Sequence, residues 1–101
     1  MFTNFVGIDV SKSKFDLALI KSQDKDHVIQ GIFDNTRNGI KLMSKFLVKE
    51  HCVQLSDTIF CMEFTGIYCY PLTDFFVKQE CHVRIEMPVN IIRSLGLQRG
   101  K

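Results

Sequence analysis

Val6-Gly7-Ile8-Asp9-Val10-Ser11-Lys12 is the stretch on which the reading of the chain turns. It reads as an apolar β-strand with a carboxylate in its middle, followed by a Ser-Lys turn. With Phe5 in front, the run has the composition of a central strand buried on both faces. An ionised Asp9 in such a strand costs several kcal/mol unless a cation or strong donors compensate it. Asp9 is therefore either a hydrogen-bonded structural group or a residue that holds something.

Outward from this strand, Ser11-Lys12-Ser13 is a tight polar connection. Residues 14–20 alternate with a period of two and place Phe15, Leu17 and Leu19 on one face. Asp16 alternates with Lys14 on the solvent side and is left out of the candidate set. Residues 22–26 predict a polar turn, and 27–33 a third strand in which Gly31 marks a bulge or close packing. Three strands joined by short turns imply an antiparallel meander.

The period then changes. Asn35 or Thr36 can cap a helix with Ile40, Met43, Phe46 and Leu47 at spacings of three and four, ending near residues 50–52. Residues 57–64 predict a fourth strand, again with a carboxylate, Glu63, near its end. Pro71 suits the first turn of a second helix through Phe75, Phe76 and Val77. A fifth strand runs from residue 81 or 82 to 87. Beyond Pro88, Ile91, Ile92 and Leu95 space a short third helix over 89–97. Right-handed crossovers in a β-β-β-α-β-α-β-α chain predict an α/β fold. Its mixed five-stranded sheet has order 3-2-1-4-5 and three helices, the ribonuclease-H-like arrangement. That step is fold-level analogy, with a plain α+β sandwich as the alternative.

In this arrangement strands one and four are parallel neighbours, with backbones about 4.8 Å apart. Asp9 is the fourth residue after Phe5, and Glu63 the fourth after Ile59, so both fall toward the C-terminal ends of their strands. Open α/β sheets bind ligands at that edge. Two carboxylates there repel unless a cation bridges them, and Mg²⁺ prefers carboxylate oxygens and retained waters. One such ion can activate an attacking oxygen while a second stabilises the leaving oxygen of a phosphodiester. Taken alone, Glu63 equally suits a strand-end carboxylate reaching solvent or bonding the Thr65-Gly66 amides.

Composition bounds the rest. The chain has 101 residues, 46% hydrophobic and 24% charged, as one small globular domain requires and a disordered chain does not show. Its net charge of +2 says less than the distribution. Arg37, Lys41, Lys45 and Lys49 recur every four residues on the first helix, and Arg93, Arg99 and Lys101 close the chain. A solvated face explains the helical stripe most simply, and a phosphate-backbone contact is the alternative. No apolar run approaches the ~20 residues of a membrane span, and no leader peptide is visible. Cys52, Cys61, Cys69 and Cys81 form no Cys-x-x-Cys pair, so free thiols in a reducing cytoplasm are expected. His51-Cys52 and Cys81-His82 are poorly disposed for zinc, because adjacent strand residues face opposite ways.

These motifs resemble one family. Gly7-Ile8-Asp9-Val10-Ser11-Lys12 with Asp16-Leu17-Ala18-Leu19 is similar to the opening of the DEDD transposases of the Piv/MooV type. Those are insertion-sequence recombinases with a RuvC-like N-terminal domain. Glu63-Phe64-Thr65-Gly66-Ile67-Tyr68 followed by Pro71 resembles their second motif, with Phe64 where the pattern has a small residue. Met87-Pro88-Val89-Asn90 through Gly100-Lys101 resembles the approach to their third. The resemblance spans essentially the whole chain. It implies a single RuvC-like domain over 1–101, ending before the remaining catalytic acids and the C-terminal domain with its nucleophilic serine.

The resemblance further implies that Asp9 and Glu63 are the first two of four acids binding Mg²⁺ or Mn²⁺. Its implied activity is cleavage and transfer of DNA strands, carried out by the parent protein and not by this portion alone. DNA, a guide RNA encoded by the element, and further copies of the full-length protein are the implied partners. Lys12, Arg37, Lys41, Lys45, Arg93, Arg99 and Lys101 are the candidate nucleic-acid contacts. A RuvC-type Holliday-junction nuclease shares the fold and metal chemistry, and a non-catalytic binding module is a further alternative. Sugar-kinase and actin-like ATPases also open on Gly-Ile-Asp, but continue into a glycine-rich phosphate loop. Val10-Ser11-Lys12-Ser13 contains no glycine.

Overall fold

Alternation in the first strand places the core. The computed structural model describes residues 2–64 and 66–86. In β1 (Asn4–Val10), Val6, Ile8 and Val10 are buried, whereas Phe5, Gly7 and Asp9 are exposed. β2 (Lys14–Lys21) repeats the pattern, burying Phe15, Leu17 and Leu19. β3 (Asp24–Asp34) completes the meander. After α1 (Arg37–Lys45), β4 (Thr58–Glu63) pairs parallel with β1, burying Phe60 and Met62. α2 (Tyr70–Lys78) leads to β5 (His82–Glu86), parallel to β4. The five strands lie in order β3-β2-β1-β4-β5, as the sequence predicts. Two α-helices belong to the described residues, and the helix expected over 89–97 lies outside them.

Ile40, Met43 and Leu47 from the first helical segment, and Leu72 and Phe76 from α2, join the buried strand residues in one cluster. Phe76 meets Phe60 with ring centroids 4.6 Å apart. Each such side chain contributes roughly 1.5–3 kcal/mol by leaving water. The cluster covers one face of the sheet. Among the described residues the other face is open, so the expectation that β1 is buried on both faces is corrected. Phe5, on the open face, keeps 42% of its surface accessible.

Two local expectations also change. The polar residues 22–26 are not all turn: Ser22 and Gln23 make the turn, and β3 starts at Asp24, opposite Lys21. Residues 24–28 of this hairpin arm are exposed on both sides, which suits the polar side chains of 24–27. The first helix does reach residue 50, but its last turn, Phe46–Glu50, is a π turn in which the His51 N–H reaches the Phe46 carbonyl at 3.1 Å. Thr36, rather than Asn35, is the cap; its Oγ1 accepts from the Gly39 N–H at 3.0 Å.

Gly39 locks α1 onto the end of β3. A Cβ at this position would lie 1.9 Å from the Asp34 carbonyl oxygen, a backbone atom that cannot swing aside. Gly39→Ala should therefore destabilise the fold by about 2–3 kcal/mol in urea unfolding. On helix propensity alone the same change would stabilise by about 1 kcal/mol, so the sign of the shift decides between the two effects.

Candidate functional site

The β1–β4 register runs from Asn4–Thr58 to Ile8–Met62. Asp9 and Glu63 are the next residue on each strand, and both are exposed on the open face. The two sequence-predicted acids are thus neighbours at the C-terminal edge of parallel strands. The burial cost attributed to Asp9 does not arise among the described residues, because odd-numbered positions of β1 face away from the helices.

Two further carboxylates join them. Asp16 sits directly opposite Asp9 in the β1–β2 pairing, and Glu86 opposite Glu63 in the β4–β5 pairing. The order across four adjacent strands is Asp16, Asp9, Glu63, Glu86. All four line an open groove of about 680 Å³, floored by Gly7, Ala18 and Cys61. Asp16 does face solvent, as its alternation with Lys14 predicts, but that solvent-facing side is also the side of Asp9. The three-residue Ser11–Ser13 connection was the available signal, since it sets Val10 against Phe15 and Asp9 against Asp16. Glu86 had no such signal, because nothing local sets the register of a parallel strand.

Charge on this face is poorly balanced. Arg84 Nε lies 3.6 Å from Glu86 Oε2, whereas Lys14 Nζ turns to Asp34 Oδ1 at 3.4 Å. The acids form a line rather than a closed cage: among the described residues no three metal-ligating side chains converge on one point. Asp9 and Glu63 are oxygen donors of the type a hard divalent cation prefers, on adjacent strands at an exposed edge.

Beyond this edge the chain turns twice. Lys12 is exposed in the β1–β2 connection. After β4, the Phe64 N–H bonds the Glu86 carbonyl at 2.6 Å, and Cys69 Sγ donates to the Glu63 carbonyl at 3.4 Å. Phe64, where the family pattern has a small residue, is 43% exposed. Arg37, Lys41 and Lys45 are all exposed on α1, which lies across the opposite face of the sheet. Arg37 starts that helix and Lys45 ends it about 12 Å further along the axis. The stripe and the acids are therefore not brought together. Arg93, Arg99 and Lys101 lie outside the described residues.

The thiols and imidazoles find other neighbours. The His51 ring packs on Phe46 and the His82 ring on Phe2, with centroids 4.5 and 4.8 Å apart. Cys69 is buried, Cys52 is exposed, and burial pushes the Cys81 thiol up from its ordinary value. No helix among the described residues is long and apolar enough to cross a membrane.

Solved structures show the same scaffold. A Bacteroides thetaiotaomicron protein, described as having an actin-like ATPase fold and unknown function, superposes with a TM-score of 0.63 at 11% identity. The alignment covers 95% of this chain and 38% of that one. YeaZ from Pseudomonas aeruginosa superposes with a TM-score of 0.56 at 15% identity, covering 94% of this chain and 50% of its own. The chain thus spans half or less of these proteins, and the likeness speaks for fold alone. No curated protein matches the sequence. The family model for transposases of the IS110-type DEDD class matches residues 6–101, which include the Asp9 strand, the Glu63 turn and the segment after β5. The chain belongs to the IS110-type DEDD transposase family.

Proposed function

We propose that this chain is the N-terminal, ribonuclease-H-like part of a transposase that cleaves and transfers DNA strands with Mg²⁺ or Mn²⁺. Asp9 and Glu63 are its first two metal ligands, and two further acids are supplied from beyond Lys101. The observation that carries this reading is the meeting of Asp9 and Glu63 at one accessible sheet edge, in a chain of this family. A bound divalent ion supplies activation of the attacking oxygen and charge stabilisation at the scissile phosphate. The chain's own residues offer oxygen donors on β1 and β4, keep the groove floor low with Gly7 and Ala18, and present Lys12 beside the edge for a phosphate oxygen. Asp16 and Glu86 deepen the negative field that draws the cation in.

The α1 stripe has a separate role in this reading. Lying on the far face, it suits a second nucleic-acid segment, the element-encoded guide RNA, better than the strand being cut. In the full-length protein, further copies complete the assembly. A junction nuclease shares the metal chemistry; the Ser11-Lys12 turn and the Glu63-x-Thr65-Gly66-x-Tyr68 turn favour the transposase.

Three experiments test this. Mn²⁺ should broaden the Val10 and Phe64 amide resonances at millimolar concentration, weakly because two ligands are missing, and Asp9→Asn or Glu63→Gln should abolish the response. No response in the unmodified chain would sink the metal reading. Asp9→Asn should also leave stability unchanged or raise it by roughly 0.2–1 kcal/mol, since it relieves a like-charge pair. A structural Asp9 would instead lose stability on substitution. For the stripe, Lys41→Glu with Lys45→Glu should weaken binding of an RNA hairpin. The salt slope should fall by roughly 0.7–0.9 per lost phosphate contact. Unchanged affinity and slope would make the stripe a solvated face.

A further inference from the structure

Asn35 stands where three turns meet at the carboxylate edge. Its Nδ2 donates to the Ser11 carbonyl at 3.1 Å and to the Tyr68 carbonyl at 2.9 Å. Its backbone N–H donates to the Ser13 carbonyl at 2.8 Å. Both side-chain partners can only accept, so the NH₂ end of the amide faces them and Oδ1 faces the other way. There Oδ1 is buried with no hydrogen-bond partner. An unpaired buried acceptor is unfavourable, so the two N–H bonds are what this side chain contributes here.

Those bonds join the turns that follow the two carboxylate strands. Ser11 is two residues after Asp9, and its N–H and Oγ both reach the Lys14 carbonyl, at 2.8 and 2.9 Å. Tyr68 precedes Cys69, whose thiol holds the Glu63 carbonyl. The β1–β4 ladder has its last pair at Ile8–Met62, one step short of the acids. Beyond that pair, the Asn35 amide is a direct cross-link between the two turns.

We infer that Asn35 is a positioning residue for the carboxylate pair. By holding the turns after β1 and β4 at a fixed separation, it holds Asp9 and Glu63 at the spacing a shared divalent cation needs. The inference rests on the metal reading above, and it has a test in the metal-free chain.

Asn35→Leu keeps the branched shape, deletes both donors and also deletes the unpaired Oδ1, so the melting temperature should barely move. Amide exchange at Ser11 and Phe64, whose N–H groups bond Lys14 and Glu86, should accelerate together by about tenfold, with the centre of β2 unchanged. The apparent Mn²⁺ affinity, read from broadening of the Val10 and Phe64 amides, should fall about tenfold. Thr73→Ala serves as the control. It removes a 2.9 Å bond from α2 back to the Cys69 carbonyl just before that helix and should leave Mn²⁺ affinity unchanged. Unchanged exchange at Ser11 and Phe64 overturns the clamp whatever the metal does. Faster exchange with undiminished Mn²⁺ affinity overturns the positioning role and leaves only a staple between turns. A wild-type chain that never broadens overturns the metal reading itself, and the positioning role with it.

Discussion

The parallel pairing of β1 with β4 is the constraint on which the rest of the structure depends. Its register is enforced by side chains, not by the backbone bonds alone. Val6 and Ile8 meet Phe60 and Met62 on the core face, and every one of them is buried. A slip of one residue would turn Glu63 into the cluster and Met62 out of it. Burying a carboxylate without a partner costs several kcal/mol, and exposing a methionine adds to that. The apolar face therefore fixes where the acids go, although none of its side chains touches the site.

Segregation of the two faces follows from the same alternation. Helices α1 and α2 satisfy one side of the sheet, and the opposite side carries carboxylates with small residues between them. Positive charge on α1 is held away from that row by the thickness of the core. This separation keeps the stripe from neutralising the acids, and leaves their field directed at whatever approaches the open face.

The scaffold is shared more widely than any chemistry. The solved structures that superpose on this chain include one described by an actin-like ATPase fold, at an identity too low to speak of function. What distinguishes members of such a superfold is the loop after the first strand and the residues at the sheet edge. Here that loop is a three-residue Ser-Lys-Ser turn closed by Ser11 on Lys14, without the glycines that let a backbone wrap phosphates. Family membership rests on the family model over residues 6–101, and the fold shows why Asp9 and Glu63 of its first two motifs fall at one edge.

Local periodicity and capping determined much of this protein from sequence alone. The core face of β2, the Thr36 cap among two candidates, Pro71 opening α2, the strand order, and the pairing of Asp9 with Glu63 were all legible. Each follows from side-chain alternation, backbone geometry or the handedness of crossovers, properties carried by a few adjacent residues. Other features were decided by tertiary structure. One is the side of the sheet on which the helices lie, which leaves Asp9 exposed rather than buried. Another is the parallel register that sets Glu86 beside Glu63. A third is the meeting of Ser11, Asn35 and Tyr68, residues far apart in the chain. These depend on where whole elements come to rest, and no stretch of neighbouring residues encodes that, because the contacts that select it are made only once the sheet has formed.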